Sequence, residues 1–213
     1  MSAPLGRSNQ GMNFPNLTCP MSPVISDLQD IPTDLDVNYE EGCWYIRIPI
    51  ALSEDGRWLT SIDVGYQESD GESPCDGIAP IDFYSFGYEI HLFDQQDGVS
   101  YLTMNPLEAR CAIPPEMRQL VIDITCACYL KLIAECDPSY IFRVTWLSEP
   151  GKGALKKHDQ ATETLCQSGY AVIKEGTDQY GCKFWLLGKS DEDHSHLERV
   201  AGNEAVGADH EPS

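Results

Sequence analysis

Apolar positions recur along the chain with two periods, one helical and one extended, and they are densest from Pro114 to Trp146. Pro114-Pro115-Glu116 suits a helix opening. Proline is preset for the first turn, where its missing N–H costs nothing, and Glu116 suits the positive end of the helix dipole. Met117, Leu120, Val121, Ile124, Cys128 and Leu132 then follow at spacings of three and four, which puts them on one face. Ile122, Cys126, Tyr129, Leu130 and Ile133 make much of the remaining surface apolar, as in a helix covered on several sides. Asp137-Pro138 ends it, because the residue before proline avoids helical backbone angles. Tyr140 to Trp146, rich in β-branched and aromatic residues, reads as a strand. The β-branched content of Leu120 to Cys128 leaves a strand as the rival reading of that piece.

The flanking sequence supplies the partners of this pair. Cys43 to Ile50 and Trp58 to Tyr66 read as two strands joined by a turn at Ser53 to Gly56. Gln67 to Pro80 is polar, carries Gly71, Pro74, Gly77 and Pro80, and reads as a loop. Phe83 to Phe93 and Val99 to Met104 are the third and fourth strands, with a turn at Asp94 to Gly98. After Gly151 and Gly153, Leu155 to Gln167 reads as a second helix closed by Ser168-Gly169. Ala171 to Lys174 and Cys182 to Leu187 form a last hairpin. The expected fold is α+β: a mostly antiparallel sheet packed against two helices, in the order four strands, helix, strand, helix, two strands. Residues 41–188 are expected to form one domain. Residues 1–40, with five prolines, read as an extended arm whose Phe14, Leu17, Val24, Ile25 and Leu28 could anchor it to the domain or to another subunit. Residues 189–213 read as an acidic disordered tail.

Gln167-Ser168-Gly169-Tyr170 ahead of the closing hairpin, together with the element order from Phe83 to Leu187, resembles the later part of the GNAT acetyltransferase fold. The resemblance implies an acyltransferase-type enzyme in which a glycine-rich turn at the start of the central helix holds the acetyl-CoA pyrophosphate. The corresponding segment, Ile113 to Leu120, has no glycine. A cofactor site of that kind is therefore degenerate or lost, and no cofactor is expected.

Composition narrows the function. The chain has 213 residues, 42% of them hydrophobic, enough for a substantial core. No apolar run approaches the roughly 20 residues of a membrane span, and the first 30 residues show no signal-peptide pattern. The nine cysteines are scattered, which suits reduced, buried thiols in a cytoplasmic protein rather than a disulfide framework. The net charge of −20 repels nucleic acid and anionic membranes and attracts basic protein surfaces. Neither direct nucleic-acid contact nor membrane attachment is expected. The oligomeric state leaves no signature.

Between Glu54 and Asp97 eleven acidic side chains face a single arginine, Arg57. Alternate strand residues lie about 6.6 Å apart, close to the spacing of backbone phosphates. The expected function is a non-enzymatic interaction module whose acidic face occupies a basic surface, such as the nucleic-acid groove of a DNA- or RNA-processing complex. Glu68, Asp70, Glu72 and Asp76 are the expected contacts, placed in the loop between two strands. The plainer alternative is a solvated surface that maintains solubility. A further alternative is a structural subunit of a larger assembly. The only basic cluster, Lys152, Gly153, Lys156 and Lys157, follows a strand and opens a helix, where free N–H groups favour anions. It lacks the phosphate-loop pattern, and a turn with exposed lysines is its plainer reading. Metal binding is not expected. No C-x-x-C pair exists, Cys126 and Cys128 point about 200° apart on a helix, and His194-x-His196 falls in the tail. Glu89 and His91 share a strand face, with a polar surface as their plainer reading, and no sequence context marks a catalytic nucleophile.

Overall fold

A computed structural model describes residues 30–53, 55–100, 113, 115–145 and 148–197, together with the backbone of 23–25 and 101–103. The expectations for Glu54, Met104, Pro114, Trp146, residues 1–22, residues 26–29, the side chains of Val24 and Ile25, and residues 198–213 lie outside the described residues. Within them the fold is α+β. Nine strands form one sheet: β1 (Pro23–Ile25), β2 (Asn38–Glu40), β3 (Cys43–Ser53), β4 (Trp58–Glu72), β5 (Ile81–Asp94), β6 (Val99–Thr103), β7 (Tyr140–Val144), β8 (Tyr170–Thr177) and β9 (Lys183–Lys189). Two helices pack on it, α1 (Arg118–Cys136), preceded by a 3-10 turn at Pro115–Met117, and α2 (Lys152–Gln167). The strand order is β1-β3-β4-β5-β7-β9-β8, with β2 on β3 and β6 on β5. All pairings are antiparallel except β5 with β7, which meet at Tyr84–Ile141 and Ser85–Phe142.

Alternation explains the main core. Ile46, Ile48 and Ile50 on β3, Ile62, Val64 and Tyr66 on β4, and Phe86 and Ile90 on β5 all point to the helix-bearing face and are nearly or fully buried. Against them α1 buries Val121, Ile124, Cys128, Tyr129 and Leu132. Its opposite flank meets α2, where Asp123 accepts amide bonds from Gln119 at 2.9 Å and Gln160 at 3.0 Å. Contact on two sides is why this helix can be apolar nearly all round. The segment from Leu120 to Cys128 is helical, so the rival strand reading is discarded. Asp137 closes α1 in the left-handed conformation (φ 45°), its N–H donating to Ile133 O.

A second, smaller core covers the other face of β7 and β9. Tyr140, Leu186 and Phe83 pack there with Ile78 from the β4–β5 connection and Leu197 from beyond β9. Residues 189–197 therefore continue the domain, and Leu197 is fully buried. The expected tail boundary at Lys189 does not hold, because one leucine finds an apolar surface that the polar run around it conceals. Two pieces of the expected arm are edge strands, β1 on β3 and β2 on β3. Among the described residues no helix is long and apolar enough to cross a membrane.

Candidate functional site

The connections give the molecule two electrically different ends. α1 runs through Asp137 and Pro138 directly into the start of β7, and α2 runs through Ser168 and Gly169 into the start of β8. Tyr170 at that point donates to Pro138 O at 2.7 Å. Both helix C-termini, with their partial negative charge, thus lie at the sheet end where β4 finishes and β5 begins. Glu40 and Glu41, at the β2–β3 turn, lie at this end as well, since Cys43 pairs with Gln67.

Glu68, Asp70, Glu72 and Asp76 are all exposed at this end. The first part of the expected loop from Gln67 to Pro80 is strand: β4 runs to Glu72, so Glu68, Asp70 and Glu72 sit on a strand and Asp76 alone is in a loop. The cause is non-local. β5 pairs with β4 as far as Glu72–Ile81, past a register shift after Ser69, and this partner holds extended a polar stretch that would be irregular alone. Glu68 accepts a long bond from Tyr84, its cross-strand neighbour, at 3.4 Å. Glu72 accepts from Ser69 at 3.1 Å, and Asp82 accepts from the Gly71 N–H at 2.8 Å. The loop carrying Asp76 folds over the second core, held by Lys174 on the Asp76 carbonyl and by Ala79 N–H on Leu197 O. Among the described residues, none of Glu40, Glu41, Glu68, Asp70, Glu72, Asp76 and Asp82 has an ion-pair partner. Two arginines bind other acids: Arg47 grips Asp63, and Arg57 grips Asp94 and Asp97.

A cavity of about 500 Å³ opens between the two helix C-termini. Leu130, Ile133, Ala134 and Tyr170 form its apolar floor, and Asp137 and Asp191 its acidic rim. Lys189 bridges to Asp137 at 2.8 Å. Sequence reasoning missed this feature, along with Glu40, Glu41 and Asp82, because a site assembled from strand ends has no signature in any single segment.

The helix N-termini point to the other end. α2 begins at Lys152, three residues before the expected start, so Lys152, Gly153, Lys156 and Lys157 occupy its first two turns. Gly151 is the cap residue, its carbonyl accepting from the N–H groups of Ala154 and Leu155. Lys152, Gly153 and Lys156 are exposed and Lys157 is half-buried.

Arg143 on β7 is 2% exposed and, among the described residues, has no carboxylate partner. Its Nη1 donates to Thr162 Oγ1 at 2.6 Å and to His158 O at 3.0 Å. Its charge lies over the rings of Tyr129 and Trp185, 5.5 and 5.8 Å from their centroids, and its Nε has no partner. Two oxygens and two π faces stand where a buried cation ordinarily has an acid. The inward parity of Ile141, Arg143 and Thr145 on one strand was the available sequence signal.

Glu89 and His91 do meet, at 3.5 Å, with Asp63 at 3.6 Å from the same imidazole nitrogen. The cluster lies on the sheet face away from the main core, with all three side chains in part exposed. Among the described residues seven cysteines are free thiols. Burial pushes Cys128 up to about 12 and Cys136 to about 11, and it also raises Cys43, Cys75 and Cys126. Such thiols stay protonated at neutral pH and are poor nucleophiles. Compared with known proteins, the chain matches no protein family, no curated protein and no solved structure.

Proposed function

We propose that the chain is a non-enzymatic binding module that docks a basic protein surface on the acidic end of its sheet. The observation that carries this reading is the gathering of exposed, unpaired carboxylates from β2–β3, β4 and β5 beside two helix C-termini. Fields from these sources add, and they attract cationic partners over a Debye length. The cavity between the helix ends would take a lysine or arginine side chain, its stem on the apolar floor and its charge at Asp191 and the last helix carbonyls, beside the Asp137–Lys189 pair. Glu68 and Asp70 project from alternate positions of β4, about 6.6 Å apart, a spacing that suits a groove built for phosphates. A nucleic-acid-processing protein is the partner class this favours.

The test is association kinetics with a captured basic partner across a salt series. Association should slow steeply with salt, and the Glu68→Gln, Asp70→Asn, Glu72→Gln, Asp76→Asn variant should associate about tenfold more slowly with little change in dissociation. An unchanged association rate in that variant refutes the reading.

One observation favours a second reading. The parallel β5–β7 pair joined through α1, followed by β9 and β8, suits an acyltransferase-type scaffold, with an anionic cofactor near Lys152, Lys156 and Lys157. A thermal shift with acetyl-CoA, lost on replacing the three lysines by glutamine, would support the enzyme. Its absence leaves the binding module.

A further inference from the structure

Residues 189–197 turn back across the end of β9 and set two imidazoles against one phenol. His194 Nε2 lies 2.8 Å from Lys189 O, and His196 Nδ1 lies 3.0 Å from Asp193 O. A carbonyl only accepts, so each of these nitrogens carries the ring proton. In the neutral ring the other nitrogen is then a bare lone pair. Both lone pairs face the same oxygen: His194 Nδ1 is 3.4 Å and His196 Nε2 is 3.3 Å from Tyr140 Oη. A phenol has one proton and can satisfy only one of them.

From this geometry we infer a transition-metal site of the zinc class, with His194 Nδ1 and His196 Nε2 as nitrogen ligands and Tyr140 Oη as the third donor. Ligands about 2.0–2.1 Å from a tetrahedral zinc lie about 3.3–3.4 Å from one another, which is the separation found from each nitrogen to the oxygen. Anchoring the remote ring N–H on a backbone carbonyl is the usual outer support of a metal-bound histidine. The site is built into the sheet. Tyr140 is opposite Gly188 on β9, and a Cβ at Gly188 would stand 2.6 Å from His194 Cε1 and 2.8 Å from its Nε2. The bare glycine leaves room for the His194 ring beside Tyr140, and for Ile173 Cδ1, which a Cβ would approach to 2.5 Å. His196 is exposed, which leaves an entry path and room for water as the fourth ligand. Among the described residues no three His, Cys, Asp or Glu side chains converge on a metal position; here the third donor is a phenol. Coordination releases the Tyr140 proton to solvent and ties residues 194–196 to β7. The site is independent of the basic-partner reading, although the acidic end would concentrate cations around it.

The full chain, kept reduced and metal-free at pH 7.5, is titrated with zinc by calorimetry and with cobalt(II) by visible absorption. One zinc should bind, and cobalt should give tetrahedral d–d bands without a thiolate charge-transfer band. His196→Ala removes an exposed side chain and should weaken binding at least tenfold, as should Gly188→Ala, and Tyr140→Phe should weaken it less. Zinc should also raise the Tm of the wild type and leave that of His196→Ala unchanged. A thiolate band would assign the metal to cysteines and overturn the site. So would the absence of binding at millimolar metal, or undiminished affinity in His196→Ala.

Discussion

His158 provides a test of how the interior around Arg143 is organised. Its ring stacks on the Trp185 indole, with centroids 5.3 Å apart and planes 11° from parallel, and its Nδ1 is 3.4 Å from Arg143 Nη2. Burial, reinforced by the charges of Arg143 and Lys157, pushes this imidazole from its ordinary 6.5 down to about 4. In the unfolded chain it titrates near its ordinary value. Between the two values the unfolded chain binds a proton that the folded chain does not. Stability is therefore full above pH 6.5 and falls as pH drops towards 4. The gap corresponds to about 3 kcal/mol in all, at about 1.4 kcal/mol per pH unit through the window. Urea unfolding followed by circular dichroism, from pH 7.5 to 4.5, measures it for the wild type and for His158→Phe, which keeps a ring against Trp185. The variant carries a constant penalty for the lost Arg143 contact, and carboxylate titrations largely cancel in the subtraction. The wild-type advantage should shrink steadily below pH 6.5. A difference that stays constant across the range would show that His158 titrates normally, and the account of a cation-crowded, dry interior would fail.

The facing glycines Gly65 and Gly87 should respond oppositely to alanine. A Cβ at Gly65 would stand 2.8 Å from the Trp44 carbonyl oxygen, whereas one at Gly87 meets nothing within 4 Å. Gly65→Ala should lose about 1–3 kcal/mol in urea unfolding, and Gly87→Ala should be neutral or gain about 0.5–1 kcal/mol. Leu197→Ala should cost about 2–5 kcal/mol because that side chain is fully buried in the second core; a negligible change by the same measurement would show that residues 189–197 do not pack as described. Breaking the Arg57–Asp94 contact with Asp94→Asn should lower the Tm, since this carboxylate, 1% exposed, accepts from Arg57, Gln96 and Asp97.

From β3 onward, periodicity alone determined the kinds of element and their order; the two short edge strands before it carried no such pattern. The three-and-four spacing after Pro115 and the alternation in β3, β4, β5 and β7 are local properties, because burying one face requires them whatever the partner. The acidity, the apolar girth of α1 and its stop at Asp137 were equally legible. Tertiary structure decided what those elements do together. Pairing with β5 drew Glu68, Asp70 and Glu72 into a strand, although their polarity reads as loop. The exits of both helices brought their negative ends beside those acids. One buried leucine carried His194 and His196 back to Tyr140 from what looks like a tail. Neighbouring strands, register and helix direction depend on contacts between residues far apart in the chain, and a pattern within one segment carries no record of them.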